Sequence, residues 1–197
     1  MLIRRLTPRR FRWFYEGCMQ VPGQLWFADR VLLYSTIRRH KPQTVFEVGT
    51  WLGGGSTYFI AQALHDNGSG VLQTIESDPD TYAHAVDNYK RYLPHLLPHV
   101  IFHRGLSMDV YPAILASQGA ADAVFLDGAA EPVQTLEEFR MFQPSLRHLF
   151  MGHDWYGDKM SALRPIIENS HEWIVERVIQ PPRSLGFVVA VRAGQRW

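Results

Sequence analysis

A chain of 197 residues with 46% hydrophobic and 20% charged side chains is long enough to bury one continuous core and too apolar to be disordered. A net charge of +1 with neutral histidines leaves no global field to draw the molecule to nucleic acid or to an acidic membrane. The single cysteine, Cys18, excludes an intramolecular disulfide and a cysteine-rich zinc site, and suits a reducing compartment.

Taken in chain order, the first element is a basic aromatic arm over residues 1–23. Its opening carries Arg4, Arg5, Arg9, Arg10 and Arg12 but no uninterrupted apolar run of the kind a signal peptide needs. No later stretch approaches the roughly 20 apolar residues of a spanning helix. The expectation is a soluble cytoplasmic protein with no membrane partner. Arginines interleaved with Phe11, Trp13, Phe14 and Tyr15 suit phosphates and stacked bases. They suit equally an arm that packs its rings on the domain and solvates its charges, and the balancing acidic residues favour that second reading.

Residues 24–197 read as one domain. A leading helix over 24–39 precedes an apolar strand at 44–48, a glycine cluster and a helix at 57–65. A strand at 71–75 follows, bounded by Asn67-Gly68-Ser69-Gly70 and by Asp78-Pro79. A helix at 80–92 stops before Pro94; a strand at 100–103 and a helix at 108–117 come next, with Pro112 tolerable only in its first turn. Residues 121–126 are apolar except for Asp122, which predicts a central strand. The helix at 133–143 carries Leu136, Phe139 and Phe142 on one side and ends at Pro144. A strand at 149–151, a helix at 159–169 capped by Asp158, and a closing hairpin of 173–179 and 185–191 complete the chain.

Strand–helix alternation of this kind predicts an α/β fold: a Rossmann-like three-layer α/β/α sandwich whose mostly parallel, seven-stranded sheet gains one antiparallel strand at an edge from the terminal hairpin. In such sheets ligands bind beyond the carboxyl ends of the strands. The first strand runs there into Glu47-Val48-Gly49-Thr50-Trp51-Leu52-Gly53-Gly54-Gly55-Ser56-Thr57. Gly55 stands where a P-loop needs its lysine, and Trp51 stands where a dinucleotide fingerprint needs its second glycine. An acidic residue at that strand end is poorly placed beside a pyrophosphate and well placed beside a sulfonium or an ammonium. Glu76 ends the second strand, where a carboxylate can accept both hydroxyls of a ribose.

From residue 24 onward, these two strand ends resemble the class I S-adenosylmethionine-dependent methyltransferases. The branch they resemble is that of the catechol and macrocin O-methyltransferases, with their relative cephalosporin hydroxylase. The resemblance implies cofactor binding by Glu47, Gly49, Trp51, Gly53 and Ser56 at the methionine end, by Glu76 at the ribose and by Ser107 and Met108 beside the adenine. It also implies a role for Asp127, at the end of the fourth strand, and for the stretch Met151-Gly152-His153-Asp154-Trp155 after the fifth. Two departures stand out: three glycines rather than two precede Ser56, and Asp127-Gly128-Ala129-Ala130 lacks the histidine of Asp-Gly-x-His.

Asp127, His153 and Asp154 are the candidate catalytic and metal-binding residues. Two carboxylates with waters and a substrate oxygen suit Mg²⁺, which would lower the pKa of a bound hydroxyl and aim it at the methyl group. Mixed His and Asp ligation also admits Mn²⁺ or iron, and His153 is a candidate ligand or general base. Capping of turns and helix starts by Asp127 and Asp154 accounts for them as well without a metal. Trp155 and Tyr156 either wall the substrate or pack in the core. The expected function is methylation of a small molecule at oxygen. The alternatives are a nucleic-acid methyltransferase using the arm and a relative that binds the cofactor without turnover. A homodimer is left open.

Overall fold

A computed structural model describes residues 20–182 and 184–194. The expectations for the arm over residues 1–19, including nucleic-acid contact, lie outside the described residues. The elements are α1 (Phe27–His40), β1 (Thr44–Val48), α2 (Ser56–Asn67), β2 (Val71–Glu76), α3 (Pro79–Tyr92), β3 (Val100–Arg104), α4 (Ser107–Gln118), β4 (Ala121–Leu126), α5 (Pro132–Phe142), β5 (Leu146–His153), α6 (Arg164–Glu168), β6 (Trp173–Ile179) and β7 (Phe187–Arg192). Short 3₁₀ turns occupy Pro94–His99 and Asp158–Met160.

The strands form one sheet in the order β3-β2-β1-β4-β5-β7-β6. β1 to β5 pair in parallel, and β7 is antiparallel to both of its neighbours. The antiparallel strand therefore lies inside the sheet rather than at its edge, because the hairpin folds its second strand back between β5 and β6.

Side chains of a strand point alternately to opposite faces, and here both faces are covered. Along β4, Ala123 and Phe125 enter a core with Leu33 and Ile37 of α1, Phe59 of α2 and Tyr89 of α3. Ala121, Val124 and Leu126 enter a second core with Tyr111 of α4, Phe139 and Phe142 of α5 and Ile167 of α6. Every residue of β4 is buried. Its polar exception, Asp122, is spent on structure: the carboxylate accepts the backbone N–H groups of Gln43 at 2.8 Å and Thr44 at 3.1 Å. The buried Tyr111 hydroxyl bridges the carbonyls of Glu47 and Gln73, tying α4 beneath β1 and β2.

Two helices differ from expectation. α1 begins at Phe27, leaving residues 24–26 extended. The single helix expected over 159–169 is instead the turn Asp158–Met160 followed by α6. Pro165 lies in the first turn of α6; lacking an N–H, proline opens a helix more readily than it continues one. No helix among the described residues is long and apolar enough to cross a membrane. The chain leaves β1 for β2 and β3 on one side and β4 for β5 on the other, so the strand order reverses between β1 and β4. That reversal positions the site.

Candidate active site

At the reversal two glycines allow the ends of β1 and β4 to touch. Gly49 has φ +101°, and a Cβ there would stand 2.9 Å from the Cα of Gly128. Beyond it the loop turns through Trp51 (φ 48°) and Gly53 (φ 84°), and the Gly53 carbonyl accepts the Tyr89 hydroxyl. The third glycine of the cluster has its own cause. Residues 21–23 cross the loop so closely that a Cβ on Gly54 would lie 2.0 Å from the Val21 carbonyl oxygen, and the Gly54 N–H donates to Pro22 at 3.0 Å. The chain before residue 24 thus forms part of the site's frame, and Gln24, Leu25 and Trp26 continue along its wall.

A cavity of about 490 Å³ opens over this loop, lined by residues 24–26, Gly49, Thr50, Trp51, Gly55 and Ser56, and on the far side by Asp127, His153, Asp154, Lys159 and Leu185. Its size falls within the roughly 300–1,000 Å³ of small-molecule sites. The start of α2 faces it without a side-chain cap, presenting its N–H groups and positive potential to an anionic end of a ligand. Glu76 lines it too, accepting N–H groups from Trp51 at 2.9 Å and Asp78 at 3.1 Å.

Gly49, Glu76 and Gly128 also border a smaller cavity of about 80 Å³, lined further by Gly105, Leu106, Ser107, Gln134 and Glu138. Ser107 donates to Glu138 at 2.6 Å. Burial raises the Glu138 carboxyl above its ordinary range, against the pull of the Ser107 and Gln134 bonds. Met108, expected beside an adenine, is not among the lining residues; Leu106 is.

Glu47 lies beneath the loop and not on the cavity. It is wholly buried and accepts Thr57 at 2.7 Å and Thr74 at 2.6 Å on one oxygen. Burial pushes its carboxyl up to about 7, with the Ser56, Thr74 and Thr57 hydroxyls pulling it back. It ties loop, α2 and β2 together.

Asp127, His153 and Asp154 come together as expected, with one ligand atom of each within 4.8 Å of the others. Asp154 stands at φ 54°, a left-handed turn that aspartate tolerates better than most residues. Two side chains that the sequence reading passed over complete the cluster. Lys159 Nζ donates to Asp127 Oδ1 at 2.5 Å and Asp154 Oδ2 at 3.0 Å. Asp29, fully buried on α1, meets His153 Nε2 at 3.2 Å, while His153 Nδ1 meets Asp127 at 3.1 Å and Asp154 at 3.3 Å. Burial works against the imidazolium, yet the bonds to Asp127, Asp154 and Asp29 overcome it and carry the ring to about 11. Both ring nitrogens of His153 thus lie within reach of carboxylates. The ammonium bridges one oxygen of each carboxylate.

Trp155 is a core residue whose indole donates to Glu168 at 3.3 Å, and Tyr156 stacks under Arg164 outside the cavity. The walls are Trp26, Trp51 and Leu185 instead. His95 and His99 sit on the Pro94–His99 turn beside His65, away from this cavity.

A family model described as a methyltransferase domain matches residues 46–154, from within β1 to the aspartate that follows β5. The chain belongs to the methyltransferase domain family. The match spans Gly49 and Gly128, Glu76 and the Asp127–Asp154 pair. Solved structures share the fold of this methyltransferase domain. An O-methyltransferase from Bacillus cereus in complex with SAH aligns with a TM-score of 0.71 at 17% identity, over 97% of this chain and 94% of that one. The O-methyltransferase TomG from Streptomyces achromogenes, in complex with SAM, aligns with a TM-score of 0.72 at 19% identity, over 98% and 95%. A methyltransferase from Geobacter sulfurreducens aligns with a TM-score of 0.67 at 17% identity, over 97% and 95%. Comparison with curated protein sequences gives no match.

Proposed function

We propose that this methyltransferase binds S-adenosylmethionine and transfers its methyl group to an oxygen of a small molecule, as a soluble cytoplasmic enzyme. One observation carries the reading: the two cavities meet at Gly49, Glu76 and Gly128, so a single ligand can run from the small one, over a carboxylate, to the uncapped start of α2. An adenine suits the small cavity, with Ser107 and Glu138 at its border. A ribose suits Glu76, and the methionine carboxylate suits the N–H groups at Gly55 and Ser56. The sulfonium then faces the cluster of Asp127, Asp154 and Lys159. The bound SAH and SAM named for the Bacillus cereus and Streptomyces achromogenes proteins support the choice of cofactor.

Methyl transfer is an in-line displacement, so holding acceptor, methyl and sulfur in line and excluding water supplies much of the rate. The acceptor enters between Trp26, Trp51 and Leu185, flat apolar walls that suit a planar hydroxylated substrate. A divalent ion, where present, would assist by lowering the pKa of that hydroxyl; Asp127 and Asp154 would hold it if the ammonium withdrew.

Calorimetric titration of S-adenosylmethionine into the purified chain tests the reading. Binding is expected, and Glu76→Ala should weaken it roughly ten-fold or more, the scale of one lost polar contact. Absence of binding to the folded wild-type chain would sink the proposal.

A further inference from the structure

Glu138 of α5 borders the small cavity and is buried, with 1% of its surface exposed. Its Oε1 accepts the Ser107 hydroxyl at 2.6 Å. Its Oε2 is buried too and meets no donor at hydrogen-bonding geometry among the described residues. The Gln134 amide, one turn earlier on α5, pulls on the carboxyl without reaching that geometry. Leaving a buried carboxylate oxygen without a donor is costly, so such an atom calls for a partner. Glu47 also has an oxygen in this condition, but it lies off both cavities. Glu138 borders a space that a ligand can enter.

The chemistry of the partner follows from the donors and acceptors. Ser107 has one O–H, and Oε1 takes it, so its hydroxyl has no proton left for a base. An ionised carboxylate only accepts hydrogen bonds, so Oε2 needs an N–H or O–H from the ligand. Val48, Ile75 and Leu106 line the same cavity with apolar surface that suits the faces of a planar heterocycle. Adenine brings both features, flat apolar faces and an exocyclic amine. Hypoxanthine has the same outline with a carbonyl oxygen in place of the amine, and would set oxygen against oxygen.

We infer that Glu138 reads the base of the cofactor: its Oε2 accepts an N–H of the adenine 6-amino group, while Ser107 holds the carboxylate in place. The inference rests on the S-adenosylmethionine reading above. It assigns base selection to α5, whereas the resemblance seen in the sequence put the adenine contacts on Ser107 and Met108 at the start of α4. A site built to receive an N–H discriminates strongly against an analogue that lacks it, because its own polar group is then left unmatched.

The test is calorimetric titration of the full chain with S-adenosylhomocysteine and with S-inosylhomocysteine, which carries hypoxanthine in place of adenine. The wild-type chain should bind the adenosyl compound at least about ten-fold tighter. Glu138→Gln, whose amide offers an N–H to a carbonyl oxygen as well as an oxygen to an amine, should bring the two within about three-fold. Glu76→Ala should weaken both ligands alike and leave their ratio as in the wild type. Equal binding of the two compounds by the wild-type chain would overturn the inference, and so would a folded Glu138→Gln chain that keeps the wild-type ratio. Should Glu138→Gln fail to fold, Glu138→Asp, which withdraws the carboxylate by one methylene, takes its place, and an unchanged ratio there would overturn the inference as well. The two claims fail differently. If neither compound binds the folded wild-type chain, the cofactor reading falls and takes this inference with it; if both bind equally, the cofactor reading stands and the inference alone falls.

Discussion

Glu47 is buried as few carboxyls are, and its surroundings set a stability that depends on pH. Burial lifts its pKa from 4.5 to about 7 in the folded chain, against the Ser56, Thr74 and Thr57 hydroxyls. Between those two values the folded state holds a proton that the unfolded state has lost. Its contribution is therefore fully present below pH 4.5, declines as pH rises through 7, and is level above that. At 1.36 kcal/mol per pKa unit the decline is about 3 kcal/mol. Glu47→Gln keeps an acceptor for Thr57 and Thr74 and removes the ionisation. Urea melts of both chains from pH 4 to 8 should show the variant gaining on the wild type as pH rises from 4.5 to 7; parallel curves would contradict the burial argument. The sequence showed an acidic strand end and suggested a direct contact with a cationic ligand. It could not show that three hydroxyls, two of them on the next helix and one on the next strand, enclose the group.

At the scale of an element, the glycine loop shows how much a local pattern reveals. The cluster was legible as a turn at a strand end, and Trp51 and Gly55 spoke against a dinucleotide loop and a P-loop. What each glycine is for was not legible, because the partners are distant in sequence: Gly49 makes room for Gly128, and Gly54 for residues 21–23. The departure of three glycines from two is thereby explained as chain packing. It yields a contrast between neighbours. Gly54→Ala would drive a Cβ into backbone at 2.0 Å, whereas Gly55→Ala meets nothing nearer than 3.6 Å. The first should destabilise the fold by about 1–3 kcal/mol through overpacking, and loosen the segment that carries Gln24, Leu25 and Trp26. The second should lose no more than about 1 kcal/mol as a weaker N-cap. Denaturant midpoints measure both, and equal midpoints would refute the packing account. The same limit hid Lys159. A helical composition over 159–169 concealed the break before Pro165, and it is that break which turns the lysine to the carboxylates.

Across the whole molecule, α1 is fastened to β5 at both ends. Asp29 pairs with His153 at the carboxyl end of the strand, and His40 Nδ1 meets His148 Nε2 at 2.7 Å near its start. The spacing matches: helix from residue 29 to 40 and strand from 148 to 153 each rise about 16–17 Å. The two fastenings differ in their response to acid. His153, carried to about 11, keeps its proton across the acid range. His148 is pushed down to about 4, first by burial and then by the neighbouring His40, against the attraction of Glu176 and Asp122. His40 is lowered too, by burial and by Arg39, which itself bonds Glu176 at 2.5 Å. For a histidine with a depressed folded pKa, the stabilisation is present above 6.5 and is lost as pH falls through 4. Acid should therefore loosen α1 at its His40 end while the Asp29 end, which borders the active site, stays closed. Amide hydrogen exchange at pH 7 and pH 5 should show the last turn of α1 losing protection before the first. His148→Gln, which keeps a polar side chain at that position and cannot be protonated, should reduce the difference, leaving the part that belongs to His40. Uniform loss along the helix, or a His148→Gln chain that behaves as the wild type does, would show that α1 docks as one unit, with the histidine pair having no part in its response to pH.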